Sequence, residues 1–272
     1  MNELKNIKAV FLDIDGTLAN SKWEITEDTK VPIQKMKDKG IYVVLCSGRS
    51  NKDVCEFSKK ALASDYAISS NGAQIYNYKT NENFYKDDIQ YDILKKIWTY
   101  CEKNKLELIL NGKDTQYGND MFCSDMYKDK NIIRNVEELK DKEIFQVIVN
   151  SNKYEDMKKC EEFINEYKQI KIANYSKDYI RANYNSKEPY YIFINSCSTD
   201  KGIAINKFLE AMNIKKEDTI CFGDRINDIT MFNSCGKTVA MKNADEDLKK
   251  IANYITLSND ENGVADFINR YM

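Results

Sequence analysis

The sequence predicts an α/β protein, a doubly wound parallel sheet with a second α+β unit inserted into it. Three observations predict this. Residues 7–12 "IKAVFL", 41–47 "IYVVLCS" and 66–70 "YAISS" are short apolar-rich runs separated by helical stretches, the alternation that buries a parallel sheet on both faces. The same alternation resumes after residue 200, around "TICFG" at 219–223. Between about residues 82 and 195 the texture changes to strands and helices without strict alternation. The expected organisation is therefore a Rossmann-like core formed by 1–81 and 196–272, interrupted by an α+β insertion at 82–195.

Each element follows from local pattern. Thr26, Glu27 and Asp28 open a helix that runs to Lys39 and stops at Gly40. A polar helix is expected near 51–62. In the insertion the expected order is helix 88–104, strand 106–110, helix 133–140, strand 144–149, helix 153–167, strand 170–174 and strand 190–194. The returning core reads as helix 201–212, strand 219–223, helix 226–233, strand 237–241, helix 244–250, strand 253–257 and helix 263–270. The chain has two prolines, no low-complexity linker and no internal repeat.

Composition removes several classes of function. The 272 residues suit one large domain or two modest ones. Lys+Arg 41 against Asp+Glu 43 is nearly balanced, so neither nucleic acid nor a charged membrane surface is an expected partner. No apolar run approaches the ~20 residues of a membrane span, and "MNELKNIKAV" lacks the apolar core of a secretory signal. The eight cysteines at 46, 55, 101, 123, 160, 197, 221 and 235 form no Cys-x-x-Cys pair, which fits free thiols in a reducing cytoplasm. With no histidine, Ser-His and Cys-His pairs, histidine-ligated zinc and a histidine phosphocarrier are excluded. Acid–base chemistry falls to carboxylates, Lys, Tyr or Cys.

Four segments place reactive side chains just past the carboxyl ends of expected core strands, where doubly wound sheets bind ligands. Asp13 and Asp15 flank Ile14 and precede Gly16 and Thr17; on extended backbone both carboxylates face one side, although an acidic turn would look the same. Ser47, Gly48 and Arg49 offer a hydroxyl and Gly amides suited to an oxyanion, or a plain helix cap. Lys201 and Gly202 open a helix, where a lysine opposes the macrodipole unless an anion is near, or is simply solvated. Asp224, Asn227 and Asp228 in "CFGDRIND" supply the oxygen ligands of a hard cation, or an N-capped helix. Together they describe a site where Mg²⁺ offsets the repulsion among carboxylates, Lys201 adds positive charge, and the remaining donors suit a phosphoryl group. Such a site hydrolyses phosphate esters by positioning and charge stabilisation.

"DIDGTL", "SGR", "KG" and "GDRIND", in this order, resemble the four motifs of the haloacid dehalogenase-like superfamily of phosphohydrolases. "SSNGAQI" at 69–75 and the C-terminal "VAMKNADEDLKKIANYITLSNDENGVADFI" resemble its Cof-type phosphatase subgroup, whose large α+β cap is inserted after the third strand. The resemblance implies Asp13 as nucleophile, forming an aspartyl-phosphate, and Asp15 as general acid and then base. It implies Mg²⁺ on the Asp13 carboxylate, the Asp15 backbone carbonyl and Asp224, with Asp228 close by. Phosphate oxygens would be held by Ser47, Gly48, the Ile14 amide and Asn227, with Lys201 bridging phosphate and Asp13. The substrate would be a small phosphomonoester, sugar phosphates first, in the cytoplasm. Arg225 and the return segment "NSCSTDKG" (195–202), which lacks the Pro and Gly often found ahead of its Lys-Gly, depart from the family pattern.

Other readings share parts of this pattern. A phosphoacceptor receiver module is near half this length, and its acidic pair precedes the phosphoacceptor strand. A phosphosugar mutase on the same scaffold returns phosphate to a sugar, and a phosphometabolite sensor has no use for Asp15. A cation-pumping relative needs membrane spans. Tyr175, Tyr179, Tyr184, Tyr190 and Tyr191 enrich the insertion in aromatics, as strand and core residues or as a surface for a flat ring.

Overall fold

The structure is a computed structural model that describes residues 4, 6–121, 131–176 and 188–272. The chain divides into two compact units. One comprises Met1–Arg49, Asp53–Tyr85 and Asp200–Met272; the other comprises Ser50–Lys52 and Lys86–Thr199.

The first unit begins with β1 (Ala9–Leu12), four apolar residues buried on both faces. Helix α1 (Glu27–Asp38) is capped by Thr26, whose hydroxyl accepts the Thr29 amide at 3.3 Å. Acidic residues fill its first turn and lysines its last, matching the macrodipole. Then come β2 (Tyr42–Cys46), α2 (Asn51–Lys60) and β3 (Tyr66–Ser69). β1, β2 and β3 are parallel neighbours, each pair joined by a helix. A tight turn at Ser70–Gly72 reverses the chain into β4 (Gln74–Asn77), antiparallel to β3, and β5 (Glu82–Lys86) follows at the sheet edge.

The second unit is built on helix α3 (Tyr91–Asn104), strands β6 (Glu107–Gly112), β7 (Gln116–Gly118), β8 (Asn131–Ile132) and β9 (Ile144–Ser151), helix α4 (Tyr154–Asn165), and strands β10 (Ile170–Tyr175) and β11 (Tyr190–Ser196). Its sheet runs β10-β11-β9-β6-β7-β8. Leu108, Leu110, Val147, Val149, Ile192 and Ile194 alternate onto one face and pack with α3 and α4 residues such as Ile97, Trp98, Met157 and Cys160. The other face carries a row of amides. Gln116 donates to Asn111, Asn111 to Gln146, Gln146 to Asn195, and Asn195 to the Phe145 carbonyl. Asn111, Gln146 and Asn195 are buried, and this chain of bonds is what makes their burial tolerable. Asp87 and the return segment are tied together: Ser198 and Thr199 hydroxyls both donate to the Asp87 carboxylate at 2.7 Å.

The chain returns to the first unit through α5 (Lys201–Met212), β12 (Thr219–Gly223), α6 (Ile229–Ser234), β13 (Lys237–Ala240), α7 (Glu246–Ile251), β14 (Tyr254–Ile255) and α8 (Gly263–Tyr271). The eight-stranded sheet runs β14-β13-β12-β1-β2-β3-β4-β5. This is the expected doubly wound α/β core with an insertion. Phe208 of α5 anchors its packing, with Phe11, Tyr42, Tyr66 and Phe84 rings 5.2–6.2 Å away.

Two expectations need correction, and four strands have no counterpart in the sequence reading. The helix expected at 133–140 is a single 3-10 turn, Val136–Leu139, in which only Leu139 is buried. The helix expected at 226–233 is split into a 3-10 turn, Ile226–Asp228, and α6, because the Asp228 carboxylate turns back onto the amides of Asp224 and Arg225. Strands β4, β5, β7 and β8 were not expected. Among the described residues six cysteines are buried, Cys197 is exposed and all are free; Cys123 lies outside them. No helix among the described residues is long and apolar enough to cross a membrane.

Candidate active site

Strand order places the site. β1 lies between β2 and β12, so successive crossovers leave it in opposite directions and a crevice opens at its carboxyl end. Leu12 pairs with Phe222 and with Leu45, and the Asp13 amide donates to the Phe222 carbonyl at 3.1 Å. Residues following β1, β2 and β12 are thereby brought together.

Asp13, Asp224 and Asp228 form one buried group in which one carboxylate oxygen from each lies within 4.8 Å of the others. Lys201, the first residue of α5 and 1% exposed, reaches into it. Its Nζ lies 2.6 Å from Asp13 Oδ1 and 2.6 Å from Asp228 Oδ1. The other Asp228 oxygen accepts the amides of Asp224 and Arg225 at 2.9 and 3.1 Å. Thr17 donates to Asp224 Oδ1 at 3.1 Å, and Arg225 Nε lies 3.7 Å from Asp224 Oδ2.

Charge in this cluster is out of balance. Burial pushes the Asp13 carboxyl well above its usual range; Lys201 pulls it down, and Asp228 and Asp224 push it further up. Burial likewise pushes Asp224 up to about 7, with Asp228 adding to the effect and Arg225 and Thr17 opposing it. Burial works against the charge of Lys201, but Asp13 and Asp228 outweigh it and hold the ammonium well above its usual range. Three carboxylates against the buried ammonium and the Arg225 guanidinium at the rim leave the cluster net negative when all are ionised. A divalent cation with oxygen ligands, such as Mg²⁺, fits that donor set and that charge. Asp13, Asp224 and Asp228 are the residues that could hold it.

The Asp15 carboxylate stands outside the cluster. Arg49 forks onto it, with Nη2 2.7 Å from Oδ1 and Nε 2.9 Å from Oδ2. Any metal role of Asp15 therefore rests on its backbone carbonyl. The Arg49 guanidinium is itself held over the rings of Trp23 and Phe57, at 4.5 and 5.0 Å to the centroids. The sequence alone assigns Arg49 no partner, since residues 34 apart meet here only because two strand ends are adjacent.

The expected oxyanion residues sit around the same strand ends. Ser47 is buried just after β2, and its Oγ accepts the Arg49 amide at 3.3 Å. Gly48 lies against Asn71, where an added Cβ would come within 2.8 Å of the side-chain oxygen. Ile14 is buried between the two aspartates, and its carbonyl accepts amides of the following turn, including Ala19 at 2.9 Å. Asn227 is half-buried in the turn before Asp228. Thr17 and Asn243 also build the site, with no role assigned to either by the sequence motifs. Asn243 Nδ2 holds the Gly16 carbonyl at 2.8 Å, and its only signal in the sequence was the segment "AMKNA". Of the tyrosines singled out, Tyr190 is core and Tyr175 bonds Glu161. Tyr191 is half-buried, and Tyr179 and Tyr184 lie outside the described residues.

The profile of the haloacid dehalogenase-like hydrolases matches residues 10–268. The chain belongs to this family. It is 27% identical over 292 residues to the phosphatase YwpJ of Bacillus subtilis, covering 95% of this chain and 98% of that one. It is 26% identical over 268 residues to the 5-amino-6-(5-phospho-D-ribitylamino)uracil phosphatase YcsE of the same organism, covering 98% and 96% of the two chains. A haloacid dehalogenase-like hydrolase from Bacteroides thetaiotaomicron has the same fold, with a TM-score of 0.84 and 25% identity over 98% of this chain and 100% of that one.

Proposed function

We propose that this haloacid dehalogenase-like hydrolase is a Mg²⁺-dependent phosphatase of the Cof-type subgroup. In this reading it hydrolyses small phosphomonoesters, sugar phosphates and similar compounds, through an aspartyl-phosphate on Asp13. The observation that carries it is the buried Asp13–Asp224–Asp228 group with Lys201 inside it, beside a separately held Asp15. The names of the two curated relatives, both phosphatases, support the class of reaction.

Bound among the three carboxylates, Mg²⁺ would supply charge neutralisation and polarise a phosphoryl oxygen. The chain's own residues do the rest. An Asp13 oxygen attacks phosphorus as the bond to the leaving oxygen breaks, and Asp15 gives that oxygen a proton. Water then attacks the aspartyl-phosphate, Asp15 takes its proton, and Asp13 and phosphate are released. Lys201 holds Asp13 in line and adds positive charge for the phosphoryl oxygens, which the Ser47 hydroxyl, Asn227 and the amides of Ile14 and Gly48 also receive. The inserted unit serves as the specificity cap in this reading, and the substrate is a cytoplasmic metabolite.

The test is phosphate release from a panel of phosphomonoesters with Mg²⁺ and with EDTA, using the parent chain and Asp13→Asn. Metal-dependent release that Asp13→Asn abolishes supports the proposal. Wild-type rates in Asp13→Asn defeat it, and an isomeric sugar phosphate without free phosphate turns it into a mutase.

A further inference from the structure

We propose that the Ser70–Gly72 turn is a positioning device for phosphate, in which the left-handed backbone at Asn71 aims the Gly48 amide at the phosphoryl oxygens. This rests on the phosphatase reading above and adds to it a residue to which that reading gives no role.

The turn is strained and buried. Ser70, Asn71 and Gly72 follow one another at φ 49°, 57° and 98°. Ser70 and Asn71 are only 1% and 4% exposed, and Gly72 is buried with them. Left-handed backbone is costly for a residue with a Cβ, and asparagine bears it better than most. Two such residues in a row persist only because their surroundings hold them, and strain of this kind gathers at functional sites.

The turn holds the loop that follows β2. The Asn71 amide donates to the Ser47 carbonyl at 3.0 Å, and the Ser70 amide donates to the Arg49 carbonyl at 2.8 Å. The carbonyl and the N–H of one trans peptide point in opposite directions. Fixing the Ser47 carbonyl on Asn71 therefore turns the Gly48 N–H away from the turn. Strand order gives that direction a meaning. β2 lies between β1 and β3, so away from the turn after β3 is toward the end of β1, where Asp13 stands. Among the described residues the Gly48 amide has no hydrogen-bond partner. An N–H held open beside this site is a donor kept for an anion.

Side chains and helix start close the arrangement. The Asn71 side chain lies against Gly48, where an added Cβ would come within 2.8 Å of Oδ1 and 3.3 Å of Nδ2. Gly72 meets the start of α5: a Cβ on it would come within 2.3 Å of the Asp200 carbonyl oxygen and 3.0 Å of the Lys201 amide nitrogen. One turn thus touches both the loop and the helix start assigned to phosphoryl oxygens. Relaxing it frees the Ser47–Gly48 peptide to rotate and takes the Gly48 N–H out of the site.

Inorganic phosphate is titrated calorimetrically, with Mg²⁺ present, into the parent chain, Asn71→Ala, Asn71→Gly and Asn213→Ala. Asn213 is exposed and stands at φ 52° where α5 ends, so its alanine variant carries the same backbone strain away from the loop. Asn71→Ala is expected to bind phosphate about tenfold more weakly than the parent. Asn71→Gly, which takes the left-handed backbone freely, and Asn213→Ala are both expected to bind it as the parent does. Mg²⁺ affinity should stay parental in all three, and kcat/KM for a phosphomonoester should follow phosphate affinity. If Asn71→Ala does not fold, Asn71→Ser replaces it with a smaller expected loss, since the turn already holds a serine at position 70. Parental phosphate affinity in the alanine or serine variant, an equal loss in Asn71→Gly or in Asn213→Ala, or a parent chain that binds no phosphate overturns the proposal. A parent chain that binds phosphate but releases none from any monoester defeats the phosphatase reading instead, and the titration still decides what the turn does.

Discussion

Asp13 and Asp15 are separated by one residue and are held by different cations. Lys201 takes Asp13 inside a buried cluster, while Arg49 takes Asp15 at its half-exposed edge. Two carboxylates so close in sequence would repel; the fold gives each a positive partner and a different degree of burial. That division suits two roles, one carboxylate bound among metal ligands and the other facing the group that leaves.

The division predicts unequal losses. In the proposed mechanism Asp13→Asn removes both a metal ligand and the attacking oxygen, so turnover and Mg²⁺ binding should both fall. Asp15→Asn should lower turnover by about 100- to 10,000-fold and leave Mg²⁺ affinity within a few-fold of the parent. Phosphate release and calorimetric Mg²⁺ titration on the two variants check this. A larger loss of Mg²⁺ affinity in Asp15→Asn than in Asp13→Asn would reverse the assignment.

Lys201→Met tests the buried ammonium. Its removal leaves Asp13 and Asp228 without the cation that touches both. Breaking such a network costs about 3–5 kcal/mol, and the metal-free protein should lose about that much stability. Added Mg²⁺ should restore part of it, since it supplies positive charge to the same oxygens. Denaturant unfolding with EDTA and with Mg²⁺ measures both effects.

The sequence makes some of this arrangement legible. β12 and α5 have the expected bounds because an unbroken apolar run and a strong cap, with Asp200 accepting the Ile203 amide at 2.8 Å, mark them. β7 and β8 are three and two residues long, too short for any period to show. β5 alternates between exposed and half-buried residues, as an edge strand does, and reads as polar chain. At 133–140 the sequence carries a good capping box, Asn135 with Glu138, but one turn with one buried side chain cannot nucleate a helix. Asp13, Lys201, Asp224 and Asp228 stand at recognisable strand and helix ends. Which cation each carboxylate takes depends on contacts between distant segments, such as Arg49 with Asp15 and Thr17 with Asp224, and nothing local encodes those.

Gly16→Ala should damage the proposed metal cluster although none of its carboxylates is substituted. Gly16 sits at φ 83°, and a Cβ there would come within 2.3 Å of Asp224 Oδ2. The left-handed backbone alone costs an alanine about 1–2 kcal/mol, and Asp224 must also move. Mg²⁺ affinity should drop together with stability, in contrast to Asp15→Asn. A variant with parental Mg²⁺ affinity would mean that Asp224 takes no part in holding the ion.

The raised carboxyls make the effect of metal on stability depend on pH. Asp224 titrates near 3.8 in an unfolded chain and is pushed up to about 7 here, chiefly by burial and Asp228, and burial pushes Asp13 the same way. Between those two values the folded protein keeps a proton that the unfolded chain has lost, so this group's contribution to stability falls as pH rises through the window and stays low above it. Mg²⁺ held by the ionised carboxylates, as proposed, would remove that penalty. The gain in Tm on adding Mg²⁺ should therefore be larger at about pH 8 than at about pH 5, where protons compete for the same oxygens. Melting curves with Mg²⁺ and with EDTA at the two pH values give the comparison directly. Equal gains at both would place the bound ion away from Asp13 and Asp224.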